Sequence, residues 1–313
     1  MKNVLVIGGS AFTGRVFSIM ASRNGGFELH VVNRGNHAIM LDRVHEYKCD
    51  RHDAEKIPDL VPDIHYDALV DFCAYGPGDI ESVVASIGSR ISQYIFFSTA
   101  SVYLPCDGIA DENTPLSKMS PLLTDPVSSY IRGKVMLEKE LIESCSKAGI
   151  KYTILRPVFI YGPFNYAPRE SYFIELITKK QAVPIPIDAT ARFSFVYVLD
   201  IADILMMSIG DERAYGEVFN LAAQEAVTYE LLFSEFEKLN DEPFEKREVT
   251  VAQAERENLP LPFPLSGDAL YDGSKFTKRF SYEYTPLSKG MEKTFNTFRS
   301  LFIALDENKS NCS

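Results

Sequence analysis

Two short runs carry hydroxyl and amine groups at spacings suited to proton transfer. Phe97-Ser98-Thr99-Ala100-Ser101-Val102-Tyr103 follows an apolar stretch with a cluster of hydroxyls. Tyr130-Ile131-Arg132-Gly133-Lys134 sets a phenol and an ammonium four residues apart. On a helix that spacing puts Tyr130 and Lys134 on one face. A free phenol titrates near about 10 and is a poor base at neutral pH. A neighbouring ammonium favours the phenolate and brings that value down. Tyr130 can then exchange a proton with a substrate hydroxyl while hydride moves elsewhere. Histidine is not available for this work: His30, His37, His45, His52 and His65 all lie early in the chain.

A second constellation is built for phosphate. The apolar run Val4–Ile7 leads into Gly8-Gly9-Ser10-Ala11-Phe12-Thr13-Gly14, and a helical pattern follows. Glycines at such a turn let the backbone approach a pyrophosphate, and the helix N-terminus offers free N–H groups. The next strand ends at Asn33-Arg34-Gly35. NAD-specific folds have an acidic residue here for the ribose hydroxyls. Asn33 can still bond a ribose, and the Arg34 guanidinium suits a 2′-phosphate, so the pair leans towards NADP. The competing reading is a surface arginine in a turn. Further on, Asp50, followed by Arg51, can accept from an adenine amino group or cap the next segment.

The elements that must hold these residues follow from periodicity. Short apolar runs at 4–7, 27–32, 68–72, 94–97 and 152–155 alternate with amphipathic stretches, including a strong helix from Tyr130 to Ser146. Such alternation builds a parallel sheet with helices on both faces. The fold class expected is α/β: a Rossmann-type doubly wound sheet with a smaller, mainly helical C-terminal lobe. We divide the chain into a nucleotide-binding part, 1–165, and a substrate lobe, 166–313, with 193–222 returning to the sheet. The glutamates Glu138, Glu140 and Glu143 read as a solvated helix face. The aromatic run Tyr161–Tyr172 reads as lobe packing, with stacking on a substrate as the competing reading.

Composition sets outer bounds. The 313 residues carry a net charge of −11, with −5 over 1–150 and −6 over 151–313. Neither half is a basic nucleic-acid module. Five cysteines without a Cys-x-x-Cys pair argue against a disulfide framework or a zinc site, and free buried thiols are expected. No metal is expected. The run 4–7 is too short for a membrane span, and Cys312 is misplaced for prenylation, so the expected compartment is the cytoplasm.

Taken in order, these motifs resemble the extended short-chain dehydrogenase/reductases, in particular the NAD-dependent epimerase/dehydratase group. The resemblance runs on through Arg156-Pro157-Val158-Phe159-Ile160-Tyr161-Gly162-Pro163, Tyr197-Val198-Leu199-Asp200-Ile201-Ala202 and Val218-Phe219-Asn220-Leu221. It implies that Thr99 orients a substrate hydroxyl, that Tyr130 is the acid/base, and that Lys134 tunes Tyr130 and holds the nicotinamide ribose. It implies that Pro157 and the residues after it flank the nicotinamide and that Phe72, Cys73 and Ala74 line the pyrophosphate side. Ala100 and Ser101 stand where dehydratases of the group carry an Asp-Glu pair, which disfavours water elimination and leaves Ser101 as a substrate contact. Arg192 matches an arginine that holds a substrate diphosphate in related epimerases. A second such arginine is missing before Tyr271. Asp71–Tyr75, Asn33–Gly35 and Ala11 also resemble an atypical subgroup that includes chloroplast RNA-binding proteins.

Three functions follow. The first is a sugar or nucleotide-sugar epimerase using transient hydride transfer. The second is an NADP-dependent reductase of a small carbonyl compound. The third is a non-catalytic nucleotide- or RNA-associated protein, against which the charge and the intact Thr99–Tyr130–Lys134 set both count. Members of this group pair through the helix that holds Tyr130. Its apolar Val135, Met136 and Leu141 suit a homodimer.

Overall fold

A computed structural model describes residues 1–118, 120 and 122–311; Cys312 lies outside them. The first half alternates strand and helix. It runs β1 (Lys2–Ile7), α1 (Phe12–Asn24), β2 (Phe27–Asn33), β3 (Val44–Lys48), the single turn α2 (Ile57–Leu60), β4 (Ala68–Asp71), α3 (Asp79–Ile87), β5 (Gln93–Phe97), β6 (Ile109–Ala110), α4 (Pro126–Ala148) and β7 (Lys151–Pro157). Then come β8 (Phe159–Tyr161), α5 (Glu170–Thr178), β9 (Val183–Pro186), β10 (Phe193–Tyr197), α6 (Val198–Ser208), β11 (Glu217–Leu221) and β12 (Ala226–Val227). The chain closes with α7 (Tyr229–Leu239), β13 (Lys246–Val249), α8 (Val251–Arg256), β14 (Leu270–Tyr271), α9 (Ser274–Phe280) and α10 (Leu287–Asn311).

The main sheet has seven parallel strands in the order β11-β7-β5-β4-β1-β2-β3. Both faces are covered, so its central strands carry near-continuous buried apolar runs, with Asp71, Gln93, Thr153 and Arg156 among the buried polar exceptions. Val4 and Val6 pack with α1, α6 and the aromatic lobe, while Leu5 and Ile7 pack with α3 and α4 on the other face. Strand order reverses between β1 and β4. The crevice above that switch point is where open α/β sheets bind ligands.

The stretch 193–222 divides. β11 joins the main sheet, whereas β10 pairs with β8 and β12 in a small separate sheet. The Pro-rich run 183–186 is a strand, β9, parallel to β13 in a two-stranded sheet. A strand with only one neighbour can spare proline's missing N–H.

The glutamates of α4 correct a sequence expectation. Only Glu143 is exposed. Glu138 is buried and takes Arg156 and the Ser98 hydroxyl on its carboxylate, at 2.9 Å from Arg156 Nε and 2.6 Å from Ser98 Oγ. Arg156 also donates to the Tyr103 hydroxyl, which donates in turn to Asn220. Glu140 accepts from the backbone N–H groups of Gly78, Ile80 and Glu81, capping α3 from a distance. Helical periodicity does not separate a solvated carboxylate from one that meets a buried arginine 18 residues on. Val135 and Leu141 are likewise buried in the fold, whereas Val127, Tyr130, Met136 and Ile142 of the same helix are exposed. Of the described cysteines, Cys49 and Cys145 are buried but Cys106 is exposed, and all are free thiols.

Candidate active site

A cleft of about 590 Å³ lies over the switch point. Its floor is the glycine turn. Gly8 and Gly9 have φ of +96° and +83°, a region costly for other residues. A Cβ on Gly14 would stand 2.4 Å from the Gly9 Cα, so the turn can fold against α1 only with glycine there. Ser10, Ala11, Phe12, Thr13 and Gly14 all line the cleft. Ala11 is the N-cap of α1 and offers no side-chain bond, leaving the first N–H groups of the helix directed at the cleft. Phe12 holds a φ of +35° and sets its ring edge-on to Tyr166.

At the other end, α4 brings in the acid/base group. Asp125 caps the helix by accepting from Ser128 N–H, and Pro126 starts it. Gly133 is required by packing: a Cβ there would meet the Tyr75 carbonyl oxygen at 2.7 Å. That close approach carries Lys134 under the loop after β4. Its ammonium donates to the carbonyls of Ala74 at 2.9 Å and Phe97 at 2.8 Å. Burial pushes Lys134 down to about 8. Thr99, just after β5, caps a 3-10 turn by accepting from Ser101 N–H and lies close enough to Tyr130 to favour its ionised form.

The Tyr130 phenol departs from expectation. Burial raises its pKa, and the Thr99 hydroxyl and the positive charge of Arg169 oppose that rise. The Lys134 ammonium is 5.9 Å from the Tyr130 ring centroid and is bound to two backbone carbonyls. Lys134, expected from the i, i+4 spacing to lower the phenol, is not among the groups that shift it; burial dominates and Arg169 opposes it only weakly. The same face of the helix does not guarantee the same polar partner.

Other expected residues separate into those that reach the cleft and those that do not. Phe72, Cys73 and Pro157 line it. Burial lifts the Cys73 thiol to about 12, which makes it inert. Ala74 is fully buried and contributes its carbonyl to Lys134 instead. Asn33 lines the cleft, but its side chain accepts from Gly35 N–H and donates to Glu46, shaping the turn. Arg34 is exposed and faces both the cleft and a neighbouring hollow that contains Lys48 and Asp50. Asp50 lines the cleft and also caps the next turn, accepting from the backbone and ring N–H of His52. Arg51 touches the cleft but is spent on Asp71, 2.9 Å from both carboxylate oxygens, and on Asp79. It fixes the loop 71–79 rather than reaching for a ligand.

Two residues expected to contact substrate lie away from this cleft. Ser101 is exposed and lies outside the cleft lining. Arg192 is also outside it, paired through Nε and Nη2 with Asp268 at 3.0 and 2.5 Å. A carboxylate 76 residues away in the chain gives no local signal of that pairing. The lining also includes Val158 and Ile160, from the stretch after Pro157, and Asn165, Tyr166, Ala167 and Arg169, which lie within the run read as lobe packing. Of the aromatic run, Tyr161 is buried, but Phe164 and Tyr166 are exposed. A polar Asn165-Tyr166 step and a lone arginine inside an aromatic run were the available signal.

Comparisons with known proteins agree with this arrangement. The NAD dependent epimerase/dehydratase family model matches residues 4–222. A chloroplast stem-loop binding protein of 41 kDa b from Arabidopsis thaliana is 26% identical over 243 residues, covering 73% of this chain and 61% of that protein. A UDP-glucose 4-epimerase from Lactobacillus helveticus is 26% identical over 178 residues, 51% of this chain and 52% of that protein. The chain thus aligns with less than two thirds of the length of either. Among solved structures, UDP-glucuronic acid 4-epimerase from Bacillus cereus, in complex with UDP-glucuronic acid and NAD, superposes with a TM-score of 0.74 at 18% identity, covering 96% of this chain and 99% of that one. UDP-glucose 4-epimerase from Thermotoga maritima, with UDP-glucose, gives 0.73 at 20% identity over the same shares. The glycine turn, the seven-stranded sheet and the family match over most of the chain have one conclusion: this chain belongs to the NAD-dependent epimerase/dehydratase family.

Proposed function

We propose that the protein is an NAD(P)-dependent epimerase of a sugar or nucleotide-sugar, with Tyr130 as its acid/base. One observation carries the reading: a single cleft joins the glycine turn to Thr99, Tyr130 and Lys134. The residues suit a dinucleotide. The Gly8–Gly14 cradle would be filled by added Cβ atoms, and Lys134 keeps one N–H beyond its two carbonyl bonds. Glycine-turn backbone would hold the pyrophosphate, and Lys134 a ribose hydroxyl. When bound, the nicotinamide supplies a hydride acceptor that can return the hydride. Thr99 then fixes the substrate hydroxyl beside Tyr130. Tyr130 takes its proton as the carbonyl forms and gives it back when the alcohol is restored. The exposed Arg34 beside Lys48 supports NADP over NAD.

We assign residues 1–165 to the cofactor and 166–313 to the substrate lobe. We further propose a cytoplasmic protein. Among the described residues no helix is long and apolar enough to cross a membrane. A homodimer through α4 would rest on the exposed Met136 and Ile142. The reductase reading has one observation in its favour: among the described residues the cleft lining stops at Arg169, which suits a compact substrate. The test starts by denaturing the purified protein and identifying any released nucleotide by mass spectrometry. UDP-, dTDP- and GDP-sugars are then followed for isomer formation without added reductant. Isomerisation supports the epimerase. Substrate-dependent NADPH oxidation without isomerisation moves the assignment to the reductase.

A further inference from the structure

We infer that Arg169 is the anion-holding residue of the substrate site, so that the substrate carries a carboxylate or phosphate near its reacting hydroxyl. This rests on the dinucleotide-dependent reading above and narrows its substrate class. The inference follows from accounting for the cations around the cleft. Arg51 is neutralised by Asp71 and Asp79. Lys134 is buried and held by two carbonyls. Arg15 donates to the carbonyls of Ser10 and Ala38 and lies over the Phe164 ring, on the glycine-turn side. Arg34 lines the β2 end of the cleft, together with Asn33, and the hollow beyond it. Arg192 is outside the cleft, paired with Asp268.

Arg169 is lightly bonded and lies beside the acid/base group. Among the described residues no carboxylate lies within ion-pair distance of it, and its side chain makes one hydrogen bond, a long 3.4 Å to the Ile160 carbonyl. Its guanidinium rests on the Phe159 ring, 5.6 Å from the centroid. It lines the same cleft as Thr99 and Tyr130 and is close enough for its charge to act on the phenol. Its backbone is anchored. The next residue, Glu170, is fully buried and accepts from Gly162 N–H at 3.0 Å and from Asn165 Nδ2 at 3.1 Å. A planar fork of N–H donors, braced on an aromatic face and feeling the Glu170 carboxylate only from beyond ion-pair distance, matches a carboxylate or phosphate. An anion seated there would set the neighbouring hydroxyl or carbonyl against Thr99 and Tyr130.

The test is calorimetric titration of protein loaded with reduced cofactor. The probes are D-glucose, D-glucuronate and glucose 6-phosphate, against wild type, Arg169→Gln, Arg169→Lys and Arg192→Gln. Wild type should bind one or both anionic probes more tightly than glucose. Preference for glucuronate or for the phosphate identifies which oxyanion the site takes. Arg169→Gln should weaken that binding by roughly ten- to hundredfold while leaving glucose and cofactor binding alone. Arg169→Lys should recover part of it, and Arg192→Gln should match wild type. Equal binding of glucose and both anions, or an unchanged affinity in Arg169→Gln, would overturn the assignment while the cofactor site stands. A wild-type protein that binds neither NADH nor NADPH would refute the parent reading and this inference with it.

Discussion

The two ends of the cleft are built on different principles. The glycine-turn end is shaped by backbone sterics within seven consecutive residues. Gly14 lies against Gly9, and Gly9 has no room for a side chain beside Val6. The substrate end is shaped by side chains that meet from distant segments: Lys134 under Ala74 and Phe97, Glu138 against Arg156, Glu170 against Asn165. The first kind of construction tolerates almost no change. The second allows partners to be exchanged while the fold persists. Within one family, such a molecule can keep its cofactor site and alter what it turns over.

Substitutions can break that contrast in graded steps. Gly14→Ala drives a methyl into the Gly9 backbone, and neither partner is a flexible side chain. Binding of NADH and NADPH, followed by fluorescence titration, should be abolished. Near-normal affinity would mean that the turn is not the phosphate cradle. Glu138→Gln acts on the other kind of construction, leaving Arg156 buried without its counter-charge. The expected loss is about 3–5 kcal/mol in chemical denaturation, since an orphaned buried charge has no compensating solvent. Cofactor affinity in the folded fraction should survive, because the glycine turn is untouched.

A gentler perturbation uses pH. Lys134 is pushed down to about 8 in the folded protein, below its ordinary value near about 10.5. Between those values the unfolded chain holds more protons on this group than the native one does. Its contribution to stability therefore rises with pH across that window. The wild-type minus Lys134→Met difference in unfolding free energy should climb from pH 8 upward and level off above about 10.5. Cofactor affinity should move the opposite way, falling above about 8 as the ammonium is lost. A flat difference would place the Lys134 amine in a more solvated setting than its two carbonyl contacts describe.

The same contrast decides what could be read from the chain. The sheet, its helices and the glycine turn follow local rules, namely apolar runs of strand length, helical spacing and a Gly-rich turn after the first strand. Thr99, Tyr130 and Lys134 were legible because one strand end and one helix face carry them. Three placements were not legible. Lys134 gives its ammonium to carbonyls rather than to Tyr130, Arg192 is held by Asp268, and Glu138 is buried on Arg156. Each depends on a contact between segments whose meeting is set only by the folded topology. Arg169 lay inside a run of aromatics, and periodicity gives no reason to separate it from them. Its side chain became visible only when the cleft lining was known.

The central claim is that Tyr130 moves the proton in a cleft shared with the dinucleotide. The direct measurement is turnover by Tyr130→Phe protein, loaded with cofactor, on whichever sugar nucleotide the wild type isomerises. Removal of the acid/base should cut kcat by about 10²- to 10⁴-fold while cofactor affinity stays within the wild-type range. Unchanged turnover in Tyr130→Phe, with the cofactor bound, would contradict the assignment.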